Sequence, residues 1–286
     1  MNAPPVESGT TGPGPAIEQV NPAVSPRRIG AMSLRYLYLL RGSWPRVLEL
    51  AYWPTVQMVM WGFITQFFFT HSSYIAQGFG VLLSGVLLWD VLFRSQLGVS
   101  VSFLEEMWSR NLAHVFASPL RPPEFVASLT LLSLIRTVIG IVPATLLAIL
   151  FFGFSVYDLG LTLAGLFANL ALMGWAIGLM TSALILRWGL GAESLAWVSI
   201  FALAPLSGIY YPIATLPGWL QPVAWALPSA HVFEGMRAVL LHGQVRLDLM
   251  ASAFALNILY FCAGATIFAL ALHAARNRAR LLQVGE

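Results

Sequence analysis

Apolar positions dominate the chain in six stretches, over about residues 48–70, 78–102, 125–153, 160–185, 192–212 and 248–274. Each is long enough to cross the ~30 Å of bilayer hydrocarbon, which takes roughly 20 helical residues. The third is too long for a straight perpendicular helix, so it is expected to tilt or to project at its Glu124 end. Pro54, Pro143 and Pro205 fall inside these stretches. Membrane helices tolerate proline where neighbours satisfy the freed carbonyls. The predicted fold is an all-α integral membrane protein with six transmembrane helices.

Two segments precede the first stretch. Residues 1–26 are rich in Pro, Gly, Ser and Thr and poor in large apolar side chains, so they are expected to form a disordered cytoplasmic tail. Residues 27–286 form the membrane domain. Its first segment, Arg27 to Arg46, alternates arginines with Leu, Tyr and Trp. An apolar body with arginines that reach the headgroups suits a helix lying in the membrane plane. An ordinary juxtamembrane segment with anchoring charges is the other reading.

Composition strengthens the membrane assignment. The 286 residues are 58% hydrophobic and 9% charged, against about 45–50% and about 25% in soluble domains. All 15 basic side chains are arginine. Without a lysine there is no P-loop, no pyridoxal Schiff base and no kinase site. The single cysteine, Cys262, excludes an intramolecular disulfide and multi-cysteine metal sites. Five scattered histidines show no metal-ligand spacing, and no catalytic constellation or cofactor site is expected. Eleven arginines fall on one side of the six stretches and only Arg237 and Arg246 on the other. The positive-inside rule therefore places both termini in the cytoplasm, and a cell inner (plasma) membrane is the expected location.

Some polar groups lie within the apolar stretches. Asp90 and Arg94 are one turn apart on one helical face, and their mutual pairing offsets the cost of burying either charge. The pair marks a substrate path or subunit interface, or it is purely structural. Arg136 has no acidic neighbour in sequence and is expected to snorkel, while Glu49 is expected beside Arg46. Ala171, Gly174, Gly178 and Ser182 make a small-residue stripe suited to close helix packing. Glu105 and Glu106 are adjacent, so they point in different directions on a helix.

Two connections are more than loops. Around Glu105–Phe116, Met107, Leu112, Val115 and Phe116 recur at helical spacing, and Ser118-Pro119 and Pro122-Pro123 stop the helix. Such an amphipathic helix between two spans can act as a lever for a cytoplasmic partner, or rest at the interface with none. Residues Ser207–Arg237 are too apolar for a solvent loop. They are also too broken by Pro212, Pro217, Pro222 and Pro228 for one span. Re-entrant half-helices fit best, with Trp219 and Trp225 at the headgroup level.

These connections carry a resemblance. The run E-x-x-x-S-R-x-L-x-x-x-x-x-S-P-L-R-P-x-E from Glu105 to Glu124 and the run S-G-x-x-Y-P…L-P-x-W-L-Q…L-P…H…E-x-x-R from Ser207 to Arg237 resemble the permease subunits of type-2 ABC exporters. That family includes permeases for O-antigen, teichoic acid, nodulation factors and drugs. The resemblance covers about residues 27–280. It implies that Glu105, Glu106, Trp108, Arg110, Leu112, Val115, Ser118 and Pro119 belong to a coupling helix that docks on a separate ABC ATPase subunit, which binds the ATP. It implies an in-plane helix over Arg27–Arg46 and external re-entrant helices carrying Tyr211, Pro212, Pro217, Trp219, Pro228, Glu234 and Arg237. It also implies a second permease copy as partner. The Asp90–Arg94 pair departs from the family pattern.

The expected protein is thus a transporter subunit and not an enzyme, in contact with membrane lipids and not with nucleic acid. Aromatics gather toward the outer half, with Trp61, Phe63, Phe67, Phe68, Phe69 and Tyr74 near the first stretch and Tyr210, Tyr211, Trp219 and Trp225 near the fifth. They are either belt anchors or a surface for a lipid-linked glycan, glycolipid or other amphiphile. A drug is the alternative cargo, and an ATP-independent secondary transporter the alternative mechanism.

Overall fold

The computed structural model describes residues 24–71 and 79–277. Residues 1–23 of the expected tail, Tyr74, Arg278 and Arg280 lie outside the described residues, as do the side chains of Phe68, Phe69 and Phe116, whereas Ser25 and Pro26 belong to the ordered start of α1. Among the described residues ten α-helices follow one another: α1 Pro26–Arg41, α2 Trp44–His71, α3 Phe79–Trp108, α4 Leu112–Ala117, α5 Pro122–Phe152, α6 Leu161–Trp188, α7 Leu195–Leu203, α8 Gln221–Trp225, α9 Pro228–His242 and α10 Leu247–Asn277. The described residues contain no strand.

Among the described residues, four helices are long and apolar enough to cross a membrane, namely Gly80–Trp108, Pro122–Phe152, Leu161–Trp188 and Leu247–Ala275. They coincide with the second, third, fourth and sixth stretches expected from sequence. Helix α2 has 28 residues, but Glu49, Gln57 and Gln66 make it more polar than those four. The stretch expected over 192–212 is shorter than a span. Its apolar helical run covers Leu190–Leu206, ending in a 3-10 turn at Pro205 before Gly208 takes φ +64°.

Helix α3 is the axis of the bundle. Its most apolar window is 78% buried, against 22% for α10, so α3 is enclosed by protein while α10 stands at the periphery. Close approach to α3 depends on small residues. A Cβ on Gly174 of α6 would meet Ser95 Cβ at 2.6 Å and the Leu92 carbonyl oxygen at 2.7 Å, and one on Gly178 would meet Val99 Cβ at 2.8 Å. The stripe on α6 thus fits directly against α3. Polar contacts join α3 to two further helices: Ser133 Oγ of α5 donates to the Ser95 carbonyl at 2.8 Å, and Gln96 Nε2 to the Ala196 carbonyl of α7 at 3.0 Å. In an apolar bundle such small-residue contacts and interhelical hydrogen bonds hold helices together.

Beside a small cluster of Ile213, Ala224 and Ala230, two large ones fill the interior of the described residues. One, toward α9, includes Leu88, Leu92, Leu170 and Phe233. The other, toward α4, includes Phe103, Met107, Phe125 and Phe268. Helix α1 adds Met32 and Tyr36 to the second cluster, with Leu37 packed against it, while Leu34, Tyr38 and Leu39 on its other face are exposed.

Candidate functional site: a charged lattice, an amphipathic cavity and a clamped turn

At the α4 end, acidic and basic side chains from four elements interlock. Glu105 and Glu106 belong to the last turn of α3 and diverge, as their adjacency predicts. Glu106 is only 2% exposed and accepts from Arg35 Nη1 at 2.6 Å and Nη2 at 3.2 Å. Asn111 Nδ2 adds a third bond at 2.9 Å. Burial, reinforced by the Glu106 carboxylate, pushes the neighbouring Tyr36 phenol well above its ordinary pKa. Glu105 turns the other way, to Arg136 Nη2 at 3.0 Å and Arg46 Nη1 at 3.8 Å. Arg136 thus has an acidic partner, which comes from another helix, beyond the reach of sequence spacing. Arg46 likewise reaches Glu105 and not Glu49.

Glu124, the last residue of the first motif, is fully buried. It accepts from Arg28 Nη2 at 2.6 Å, from the Ser25 amide at 2.8 Å and from the Arg121 amide at 3.0 Å. It thus caps α5 and ties the start of α1 to it. The motif pointed to this residue, but its arginine partner lies 96 positions away.

The expected coupling helix is divided. Its first turn, with Glu105, Glu106 and Trp108, completes α3, and α4 covers only Leu112–Ala117. Arg110, at φ +52°, makes the break. Met107, Leu112 and Val115 are buried in the chain's own core, so the apolar face is consumed internally instead of being offered to a partner. The two glutamates are likewise turned into the lattice instead of toward a docking rim. The exposed face carries Trp108, Ser109, Arg110, His114, Ser118 and Pro119.

Beyond the lattice lies a cavity of about 550 Å³. Helix α2 supplies Glu49, Trp53 and Gln57, one turn apart each, and α7 supplies Trp197 and Phe201. Helix α3 supplies Asp90, Phe93, Arg94 and Leu97, and Arg136 enters from α5. Asp90 and Arg94 form the expected ion pair, Nε to Oδ2 at 2.7 Å. Trp53, Trp197 and Phe201 are exposed, so the cavity opens sideways between α2 and α7. Sequence spacing located the ion pair but not the aromatic walls, which come from helices far apart in the chain.

At the opposite end, the second motif folds back on itself. Arg237 donates from Nη1 to the Gly208 carbonyl at 2.6 Å and pairs with Glu234 at 3.0 Å. Glu234 Oε1 accepts the Ile213 amide at 2.7 Å. The E-x-x-R pair thus clamps the S-G-x-x-Y-P turn. Glycine is needed at 208 because its φ is positive and an added Cβ would meet Ile213 Cδ1 at 2.7 Å. Tyr211 donates from its hydroxyl to the Pro205 carbonyl at 2.6 Å, and Tyr210 stacks on Trp61 of α2 with centroids 4.9 Å apart. Pro228 opens α9, where its missing N–H costs nothing. Pro212 and Pro217 are exposed beside Trp219, which is 76% exposed.

A multi-pass helical protein with a charged lattice at one end and a laterally open amphipathic cavity has the build of a membrane transporter. The sequence profile of the ABC-2 type transporter family matches residues 40–241, and the chain belongs to that family. It is a permease, the membrane component of an ABC-type transporter. No curated protein sequence matches it significantly.

Proposed function

We propose that the protein is the permease of an ATP-driven exporter that moves an amphiphile, a lipid-linked glycan or glycolipid, out of the cytoplasm or inner leaflet of the inner membrane. The observation that carries this reading is the cavity, whose charged floor (Asp90, Arg94, Glu105, Arg136) meets aromatic walls (Trp53, Phe93, Trp197, Phe201). A headgroup and an apolar chain find their own surfaces there. In this reading α2 and the apolar run Leu190–Leu206 join the four apolar helices in the membrane, α1 lies in the membrane plane, and α8 and α9 are the external re-entrant pair. Both termini are cytoplasmic. The sideways opening is closed by a second copy, and each permease engages one separate ABC ATPase, so the assembly holds two of each. The exposed Trp108–Pro119 face is the docking surface.

Vesicles containing permease and ATPase test the mechanism. Export is expected only with both chains and ATP, and transport persisting without the ATPase would sink the exporter reading. Deleting the permease tests the cargo, with an altered lipid or polysaccharide profile expected. An unchanged envelope with raised sensitivity to lipophilic cations would replace the glycan or lipid cargo by a drug.

A further inference from the structure

The cavity charges are incompletely used. Arg94 spends one of its five N–H groups, Nε, on Asp90. Neither of its terminal nitrogens has a hydrogen-bond partner among the described residues, and both remain accessible from the cavity. Yet the side chain is 9% exposed, and it is fixed in place. A Cβ on Gly140 of α5 would fall 2.8 Å from its Cζ, Nε and Nη1, so only glycine lets the α5 backbone lie against the guanidinium. One turn earlier on α5, Arg136 lines the same cavity with a buried Nε that also lacks a partner. Unused donors of a buried guanidinium are costly until an acceptor arrives, and its planar edge matches an oxyanion with two parallel bonds.

The carboxylates limit how much negative charge can enter. Asp90 is paired with Arg94, and Glu105 with Arg136 and Arg46. Glu49, exposed at the rim, has no ion pair among the described residues. One added negative charge finds donors, whereas a polyanion meets three carboxylates.

Resting on the exporter reading above, we propose that the free edge of Arg94 is the headgroup receptor of the cavity, and that it takes an amphiphile bearing one singly charged oxyanion, a phosphodiester or a carboxylate. Its apolar chain lies along Trp53, Trp197 and Phe201.

Native mass spectrometry of the purified permease in a neutral detergent tests this with lauroyl lysophosphatidylglycerol, dodecanoate, farnesyl pyrophosphate, dodecyltrimethylammonium and inorganic phosphate. The first two are expected to bind one per permease, and whichever binds tighter identifies the oxyanion. The other three should bind at least tenfold more weakly. Arg94→Lys keeps a cation beside Asp90 but loses the planar edge, and should weaken binding about tenfold, equivalent to about 1.4 kcal/mol. Gly140→Ala keeps every charge and displaces the guanidinium, so it should act in the same direction and decides the matter should Arg94→Lys fail to fold. Wild-type affinity in the folded variants, or tighter binding of the pyrophosphate or the cation, would overturn the proposal. The assay contains no ATPase, so failure of ATP-driven export would strike the exporter reading and leave these affinities untouched.

Discussion

Arg35 Nη1 lies 2.6 Å from Oε1 of Glu106, joining the middle of α1 to the last turn of α3. The pair sits immediately before the break at Arg110 and the short α4, so a shift of α1 is felt where the chain presents its exposed Trp108–Pro119 face. Removing the guanidinium leaves Glu106 buried with only Asn111. Hydrogen bonds to a charged group contribute about 1.5–3 kcal/mol. Arg35→Ala should lower the unfolding temperature followed by tryptophan fluorescence. Glu106→Gln, which no longer needs a cation, should partly restore it in the double variant.

Trp108 and Arg110 are the outward-facing residues of the proposed docking surface. Trp108→Ala should reduce permease-stimulated ATPase activity severalfold without changing the unfolding temperature, since Trp108 is 48% exposed. Arg110 needs a different substitution because its φ is positive. Arg110→Gly removes the side chain and relieves the backbone together, so lost stimulation in a protein that still folds and inserts is the expected pattern. Full stimulation in both variants would show that the ATPase docks elsewhere.

The long apolar helices were legible because hydropathy over some 20 residues needs no tertiary knowledge. The Asp90–Arg94 pair and the stripe on α6 were legible for a similar reason, as both follow from helical periodicity alone. Partners across the fold were not. Arg136–Glu105, Arg35–Glu106 and Arg28–Glu124 join residues 31, 71 and 96 positions apart, and nothing in local spacing selects among the possible pairings. The amphipathic pattern at Met107, Leu112 and Val115 was real, but a pattern says only that a face is covered and not by what. Here the chain's own core covers it.

The α3–α6 contact gives a sharp packing test. Gly174→Ala would place a methyl group 2.6–2.9 Å from Ser95 Cβ, the Leu92 carbonyl and the Gln96 amide. Backbone atoms cannot rotate away, and overpacking typically costs about 1–3 kcal/mol. Gly191, with nothing within 4 Å of an added Cβ, serves as the control. Gly174→Ala should lower the yield of monodisperse detergent-extracted protein, and Gly191→Ala should not.

The contact between α6 and α10 turns on two amides. Asn257 Nδ2 donates to both the carbonyl and Oδ1 of Asn169, at 2.9 and 3.0 Å, while Asn169 Nδ2 is satisfied within its own helix by the Gly165 carbonyl at 2.9 Å. Asn257 Oδ1 is buried without a partner. The pair is therefore asymmetric: Asn257 gives both bonds and carries one unmet acceptor. Asn257→Leu removes the two donated bonds and that acceptor together, so its cost should be modest. Asn169→Leu leaves Asn257 donating only to a backbone carbonyl, with its own Oδ1 still unmet, and should cost more. In the double variant no unmet amide remains. Its destabilisation should therefore fall short of the sum of the singles by about 0.6 kcal/mol, the average coupling of interhelical hydrogen bonds in a membrane bundle, and by no more than about 1.7 kcal/mol. A double-mutant cycle on unfolding in mixed micelles measures this difference directly. Strict additivity would mean that apolar packing, and not the amide pair, holds α10 in register against α6.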